Sequence, residues 1–77
     1  MTLLQQLEFV LKMHGFETIA GIYTNNYYQT RKVSLGIGPD DNFYIYTQTK
    51  TVISELKNIF RNDKKIHIRY MGKVVAA

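Results

Sequence analysis

The chain has 77 residues, a mass of 9.0 kDa and no cysteine, which predicts one domain and excludes both a disulfide framework and a thiolate metal site. Its 45% hydrophobic content favours a folded domain over a disordered tail. A net charge of +4 and a pI near 9.5 favour an anionic partner, although many small proteins carry such a charge for solubility alone. No apolar run is long enough for a membrane span, and no signal peptide opens the chain, so we expect a cytoplasmic protein without membrane contact.

The first predicted element is a helix over residues 2–14. Thr2 and Gln5 have the spacing of a capping box, in which each side chain accepts a hydrogen bond from the backbone N–H of the other residue. Gly15 predicts the end of the helix, because glycine tolerates the left-handed conformation there, and Phe16 would then fold back over the last turn. The helix has one apolar stripe, made of Leu3, Leu4, Leu7, Val10 and Leu11.

Three strands are predicted next, near residues 16–24, 28–37 and 43–48. Asn25 and Asn26 separate the first two strands, and asparagine accepts the positive φ that tight hairpins need, so a hairpin is expected there. Residues 38–42, with the sequence GPDDN, are typical of a turn between the second and third strands. The second and third strands alternate apolar with other residues, which is the period of a half-buried strand.

A second helix is expected to run from an N-cap at Thr49 or Thr51 to about residue 61, and residues 64–73 follow as the last strand. The buried stripe of this helix is predicted to contain Val52, Ile53, Leu56, Ile59 and Phe60. The order α-β-β-β-α-β predicts an α+β fold: a two-layer α/β sandwich with a four-stranded, mostly antiparallel sheet and both helices on one face. The last strand follows a helical crossover, so it should run parallel to the third strand or to the first.

The alternation in the strands divides the predicted sheet into two faces. The residues expected to face the helices are Val33, Leu35, Ile37, Phe43, Ile45, Ile66 and Ile68. The opposite face is a candidate nucleic-acid-binding site, because bases stack on aromatic rings and cations neutralise phosphates. Its candidate residues are Lys32, Tyr44, Tyr46, Lys65, His67 and Arg69. The alternative is purely structural, since tyrosine has a high β-propensity and lysine protects sheet edges from pairing with other chains.

Phe9 and Met13 form a second candidate surface. They lie four residues apart on the first helix and nearly opposite its apolar stripe. Two large apolar side chains directed at solvent indicate a protein interface, either for a host protein or for a homodimer through this helix. The alternative is a wide stripe or a single exposed aromatic ring, both of which are common.

These features favour a small non-enzymatic, intracellular regulatory protein that binds stoichiometrically, without cofactor or metal, and contacts nucleic acid. One alternative is a phage or mobile-element protein that inhibits a host nucleic-acid-processing or defence enzyme, of the anti-restriction or anti-CRISPR type. The composition, rich in residues with AT-rich codons, fits such an origin, whereas the basic charge argues against mimicry of DNA. Another alternative is a minimal nuclease or toxin that uses His67, for which the sequence offers no recognisable acid partner.

Overall fold

The computed structural model describes residues 2–19 and 31–76. Its helices and strands are α1 (Leu3–Met13), β1 (Glu17–Ile19), β2 (Lys32–Ile37), β3 (Phe43–Thr47), α2 (Ile53–Ile59), β4 (Ile66–Tyr70) and β5 (Lys73–Ala76). Short 3-10 helices span Pro39–Asp41 and Lys50–Val52. The five strands form one sheet in the order β1-β2-β3-β4-β5, which confirms the predicted α+β class.

Both ends of α1 follow the prediction from the sequence. The capping box is present, since Thr2 N donates to Gln5 Oε1 at 2.8 Å and Gln5 N donates to Thr2 Oγ1 at 3.1 Å. At the other end, Gly15 has a φ of +81°, and Phe16 N donates to the carbonyl of Leu11 at 2.9 Å. This hydrogen bond closes a Schellman turn, and the turn places Phe16 in the core with 3% of its surface exposed.

The strand pairings alternate between parallel and antiparallel: β1–β2 and β3–β4 are parallel, whereas β2–β3 and β4–β5 are antiparallel. The pairing of β4 with β3 confirms that the strand after the crossover runs parallel to the third strand. The expected hairpin between the first two strands is wrong, because Glu17 and Lys32 are partners in a parallel register, which requires a crossover. The predicted turn at Asn25 and Asn26 lies in residues 20–30, outside the described residues.

Within residues 2–19 and 31–76 the sheet has five strands instead of the predicted four, because the predicted strand over residues 64–73 is interrupted. β4 ends at Tyr70, and Met71 and Gly72 have φ values of +54° and +79°. Two successive positive φ values are typical of a two-residue hairpin turn, across which Tyr70 pairs with Lys73. Gly72 suits such a turn, but methionine has no preference for the position before it. The sequence analysis therefore treated residues 64–73 as one strand and did not recognise the start of β5.

α2 is shorter than predicted. It covers seven residues and is preceded by a 3-10 turn rather than by a capping threonine. Neither Thr49 nor Thr51 caps α2, whose N-cap position makes no side-chain hydrogen bond. Instead, Thr47 Oγ1 accepts a hydrogen bond from Thr49 N at 3.1 Å, which turns the chain at the end of β3. In this segment a threonine hydroxyl, that of Thr47, therefore stabilises the turn after β3, and no threonine hydroxyl caps the start of α2.

One hydrophobic core lies between the sheet and the two helices. Its buried members are Leu7, Leu11, Phe16, Val33, Ile45, Val52, Leu56, Ile66 and Ile68. The central strands therefore confirm the predicted inward positions. Ile37 is a correction: it is the last residue of β2 and is 61% exposed, since it lies at the end of the sheet. Within the described residues, neither helix is long and apolar enough to cross a membrane.

Arg31 connects the end of α1 with α2 through hydrogen bonds. Its guanidinium donates to both carboxylate oxygens of Glu55, at 2.5 Å and 3.0 Å, and to the carbonyl of His14 at the end of α1. It also lies 3.9 Å from the ring centroid of Phe16. The hydrogen bond with Arg31 lowers the pKa of Glu55, although burial of the carboxylate acts in the opposite direction. No pattern in the sequence predicts this contact, because it depends on tertiary packing.

Candidate nucleic-acid interface

The strand register brings four of the six candidate residues together on the outer sheet face, by which we mean the face turned away from α1 and α2. Tyr44 is the partner of His67, and Tyr46 is the partner of Arg69, across the parallel pair β3–β4. Side chains of partner residues project from the same face and lie side by side. We call these four residues the tyrosine cluster.

The members of the tyrosine cluster contact one another. The ring centroids of Tyr44 and His67 are 5.1 Å apart with an interplanar angle of 23°, and those of Tyr44 and Tyr46 are 6.3 Å apart with an angle of 30°. The guanidinium carbon of Arg69 lies 5.8 Å from the centroid of Tyr44 and 5.7 Å from that of Tyr46. Both distances are within the range of a cation–π contact. The cluster is therefore a packed unit and not four independent surface side chains.

Glycines at the end of β2 leave space for the tyrosine rings. A Cβ atom on Gly38 would lie 2.1 Å from Tyr44 Cε2 and 3.0 Å from both Cδ2 and Cζ. The distances to the two atoms that flank Cε2 are equal and too long for an atom above the ring, so this Cβ lies close to the line of the Cε2–H bond and Tyr44 meets Gly38 with its edge. A Cβ on Gly36 would lie 3.1 Å from Tyr46 Cε2. Both rings thus lean across β2, where a larger residue would displace them.

Arg69 and His67 each carry a buried nitrogen without a partner. Nη2 of Arg69 donates to the carbonyl of Gly72 at 2.8 Å, which directs the guanidinium toward the β4–β5 turn. Nε of Arg69 and Nε2 of His67 are buried and have no hydrogen-bond partner among the described residues. Buried polar atoms are nearly always hydrogen-bonded, so two unpaired nitrogens in one cluster are an uncommon feature of this face.

The two lysines among the candidate residues lie outside the tyrosine cluster. Lys32 is at the start of β2, and its Nζ is 4.0 Å from Oε2 of Glu17 on the neighbouring strand, which partly balances its charge. Lys65 precedes β4 and is exposed, and its backbone N donates to Oδ1 of Asp63 at 3.0 Å. Ser34, on the same face, is only 1% exposed with Tyr46 as its cross-strand partner, so the face is not uniformly open.

Two features of this face were missed in the sequence. Val74 pairs with Arg69 across β4–β5 and is 50% exposed, so an apolar side chain borders the cluster. Its position depends on the unrecognised turn before β5. The contact between the glycines and the tyrosine rings could have been predicted. Gly36-Ile37-Gly38 and Tyr44-Ile45-Tyr46 lie on either side of one short turn, so the two segments face each other when the strands form a hairpin.

The second candidate surface lies on the helical layer. Phe9 is 56% exposed and Met13 is 70% exposed, whereas Leu7 and Leu11 of the same helix are buried. A groove of about 420 Å³ lies between α1 and the end of α2, and neither Phe9 nor Met13 lines it. Leu3, Val10, Ile59 and Phe60 are among the residues that line it. The structure therefore places both predicted side chains at the surface, on the layer opposite the tyrosine cluster.

The fold defines the chain as a small α+β domain whose sheet has one face against helices and one face with aromatic and cationic side chains. Over residues 2–19 and 31–76, no group of three or more His, Asp or Glu side chains is arranged to hold a metal ion. No protein-family model, no curated protein and no solved structure matches this chain. The geometry of its own residues is thus the basis for any functional proposal.

Proposed function

We propose that this is a non-enzymatic cytoplasmic protein that binds nucleic acid stoichiometrically through the tyrosine cluster. The observation that carries the proposal is the position of the Arg69 guanidinium beside the rings of Tyr44 and Tyr46 on the outer sheet face. Rings on which bases stack, next to a guanidinium that can pair with phosphate, are the two contacts that nucleic-acid-binding grooves combine.

The overall charge supports the same proposal. The chain carries ten lysines and arginines against six acidic residues, so its field attracts a polyanion. Arg61, Lys64 and Lys65 are exposed in the connection that leads into β4, the strand that carries His67 and Arg69. Cations on this connection would extend the contact along the phosphate backbone from the cluster.

A pair of charge-matched variants tests the proposal. Arg69→Gln removes a cation from the cluster, and Lys57→Gln removes one from the exposed side of α2 in the other layer. Binding of a labelled random 20-mer is measured by fluorescence anisotropy at several salt concentrations. We expect Arg69→Gln to weaken binding and to flatten the slope of log K against log[salt] by about 0.7–0.9, while Lys57→Gln leaves the slope unchanged. Equal effects of the two variants, or no binding by the unmodified protein, would refute the proposal.

The exposure of Phe9 and Met13 favours a second candidate function, in which the protein inhibits a nucleic-acid-processing or defence enzyme by direct occlusion. In a pull-down with this protein as bait and with nuclease present, the unmodified protein should retain the inhibited enzyme. The Phe9→Ala/Met13→Ala double variant should lose this enzyme, whereas Arg69→Gln should still retain it. Retention that disappears on nuclease treatment alone would support the nucleic-acid proposal instead. The same double variant tests a homodimer through α1. If the unmodified protein is dimeric by light scattering, the double variant should be monomeric.

A further inference from the structure

The tyrosine cluster consists of two rows that cross β3 and β4. Tyr44 and His67 form one row, and Tyr46 and Arg69 form the other. The ring centroids of the two tyrosines are 6.3 Å apart, close to the roughly 6.6 Å that two residues span along a strand. Successive bases of a duplex strand follow each other at about 3.4 Å. Two neighbouring bases can therefore occupy the two rows only if the nucleic acid is extended well beyond duplex spacing.

Gly38 meets the Cε2 edge of the Tyr44 ring, whereas His67 and Tyr46 stack beside this ring with centroids 5.1 Å and 6.3 Å away. A base can therefore stack only on the ring surface that these neighbours leave open. Tyr44 and Tyr46 are both half-buried, so part of each residue is in contact with solvent. The bases of a duplex have their faces covered by neighbouring base pairs, whereas unpaired bases have free faces that stack on aromatic side chains.

Few cations belong to the cluster itself. Arg69 supplies a guanidinium, and the nearest β2 lysine, Lys32, shares its charge with Glu17 at 4.0 Å. The exposed cations Arg61, Lys64 and Lys65 lie outside the cluster, on the connection before β4. The cluster itself therefore offers few of the phosphate contacts on which duplex recognition largely depends. A face with stacked rings and a guanidinium is better suited to a ligand that contributes its bases.

On the basis of the proposed function, we infer that the ligand of the tyrosine cluster is unpaired nucleic acid, extended over the two rows and held more by base stacking than by phosphate contacts. Beyond the proposed function, this specifies that the protein prefers single-stranded to duplex nucleic acid and contacts the bases more than the phosphate backbone. The Tyr44–His67 row offers two stacked rings, whereas the other row places Arg69 beside Tyr46, where its guanidinium can reach the phosphate between two stacked bases.

Three labelled probes with the unmodified protein test the inference without any substitution. They are a dT12 single strand, a 12-mer of abasic nucleotides with the same number of phosphates, and a blunt 12-base-pair duplex. Anisotropy titrations at low salt should show that dT12 binds at least about tenfold more tightly than either other probe, because stacking of one base is enough for this difference. Tyr46→Leu should reduce the preference for dT12 over the abasic strand, because only the Tyr44–His67 row then remains for stacking. Lys57→Gln, on the exposed side of α2 in the other layer, should leave the preference unchanged.

The outcomes separate the inference from the proposed function. Equal binding of dT12 and the abasic strand would overturn base stacking, yet salt-dependent binding of both would leave nucleic-acid contact standing. Tighter binding of the duplex than of dT12 would overturn the choice of single strand. Absence of binding to all three probes would refute the proposed function as well. Circular dichroism of the folded Tyr46→Leu variant excludes loss of structure as the cause of its effect.

Discussion

Replacement of Gly38 by alanine tests how the Tyr44 ring packs against the end of β2. Gly38 has a φ of −106° and a ψ of −168°, which alanine adopts without strain. The new Cβ atom would lie 2.1 Å from Tyr44 Cε2, whereas two carbon atoms in contact are about 3.5–4.0 Å apart. The ring edge must therefore move by about 1.4 Å or more to reach that contact distance, which shifts it against its partner His67.

The expected free-energy change combines two opposing effects. Displacement of the ring from its rotamer costs about 0.5–1.5 kcal/mol, and weakening of the stack with His67 costs about 0.5–1.5 kcal/mol. Alanine restricts the unfolded chain, which stabilises the protein by about 0.4–1 kcal/mol. We therefore expect Gly38→Ala to lower the free energy of unfolding by up to about 2.6 kcal/mol, and by about 1.3 kcal/mol at the middle of these ranges, as measured by urea denaturation followed by circular dichroism.

The sign should reverse when the ring is absent. In a Tyr44→Ala background, Gly38→Ala meets no ring, so only the unfolded-state effect of about 0.4–1 kcal/mol remains and the substitution stabilises. Gly72→Ala is the control: Gly72 has a φ of +79°, and a Cβ atom added there would have no neighbour within 4 Å, so its cost should be the same in both backgrounds. Equal destabilisation by Gly38→Ala with and without Tyr44 would show that the ring is not the obstacle.

Substitutions at three further residues test other parts of the molecule. Glu55→Gln should lower stability by no more than about 1 kcal/mol at pH 7, because the pair with Arg31 is about 40% exposed. The pKa of Glu55 is lowered in the folded state, so below the ordinary carboxyl pKa of 4.5 the unfolded state binds more protons than the folded state. The stability that the ion pair contributes is therefore lost as the pH falls through the lowered pKa. In urea titrations, the difference in free energy of unfolding between the variant and the unmodified protein should shrink over the same pH range. Thr2→Ala should cost about 1 kcal/mol through loss of the α1 cap, and Thr2→Ser should restore it in the same assay. His67→Ala should not change the stability of labelled RNA or DNA at high protein concentration; cleavage by the unmodified protein that the variant lacks would favour the nuclease alternative.

Features set by neighbouring residues were predictable from the sequence. The capping box at Thr2 and Gln5 and the Schellman turn at Gly15 depend on hydrogen bonds within a few residues, so a short pattern defines them. The parallel partner of β1 depends on contacts distant in sequence, about which local patterns carry no information. β5 follows a turn in which Gly72 fits the positive φ but Met71 has no preference for it, so the local signal for this turn is weak.

In the candidate site, too, the features set within one strand were predictable and the contacts between strands were not. Alternation with period two placed Tyr44, Tyr46, His67 and Arg69 on one face, since parity along a strand depends only on counting residues. It did not predict that Tyr44 stacks on His67 or that Arg69 lies against both tyrosines, because these contacts require the in-register parallel pairing of β3 and β4. Register across a helical crossover is set by packing of the core and not by the strands alone.

The contacts that pack the tyrosine cluster also bear on whether it binds a ligand. Rings held by a glycine edge and by a neighbouring imidazole have already lost rotamer freedom in the folded protein, so stacking of a base on them would cost little further side-chain entropy. Gly38→Ala separates a binding role from a purely structural one, since it moves the Tyr44 ring while its chemical groups are retained. If the rings serve only the sheet, this variant should lose stability and bind dT12 like the unmodified protein. If they serve as a stacking platform, its affinity for dT12 should fall several-fold while its affinity for the abasic strand stays the same, because phosphate contacts do not depend on where that ring lies.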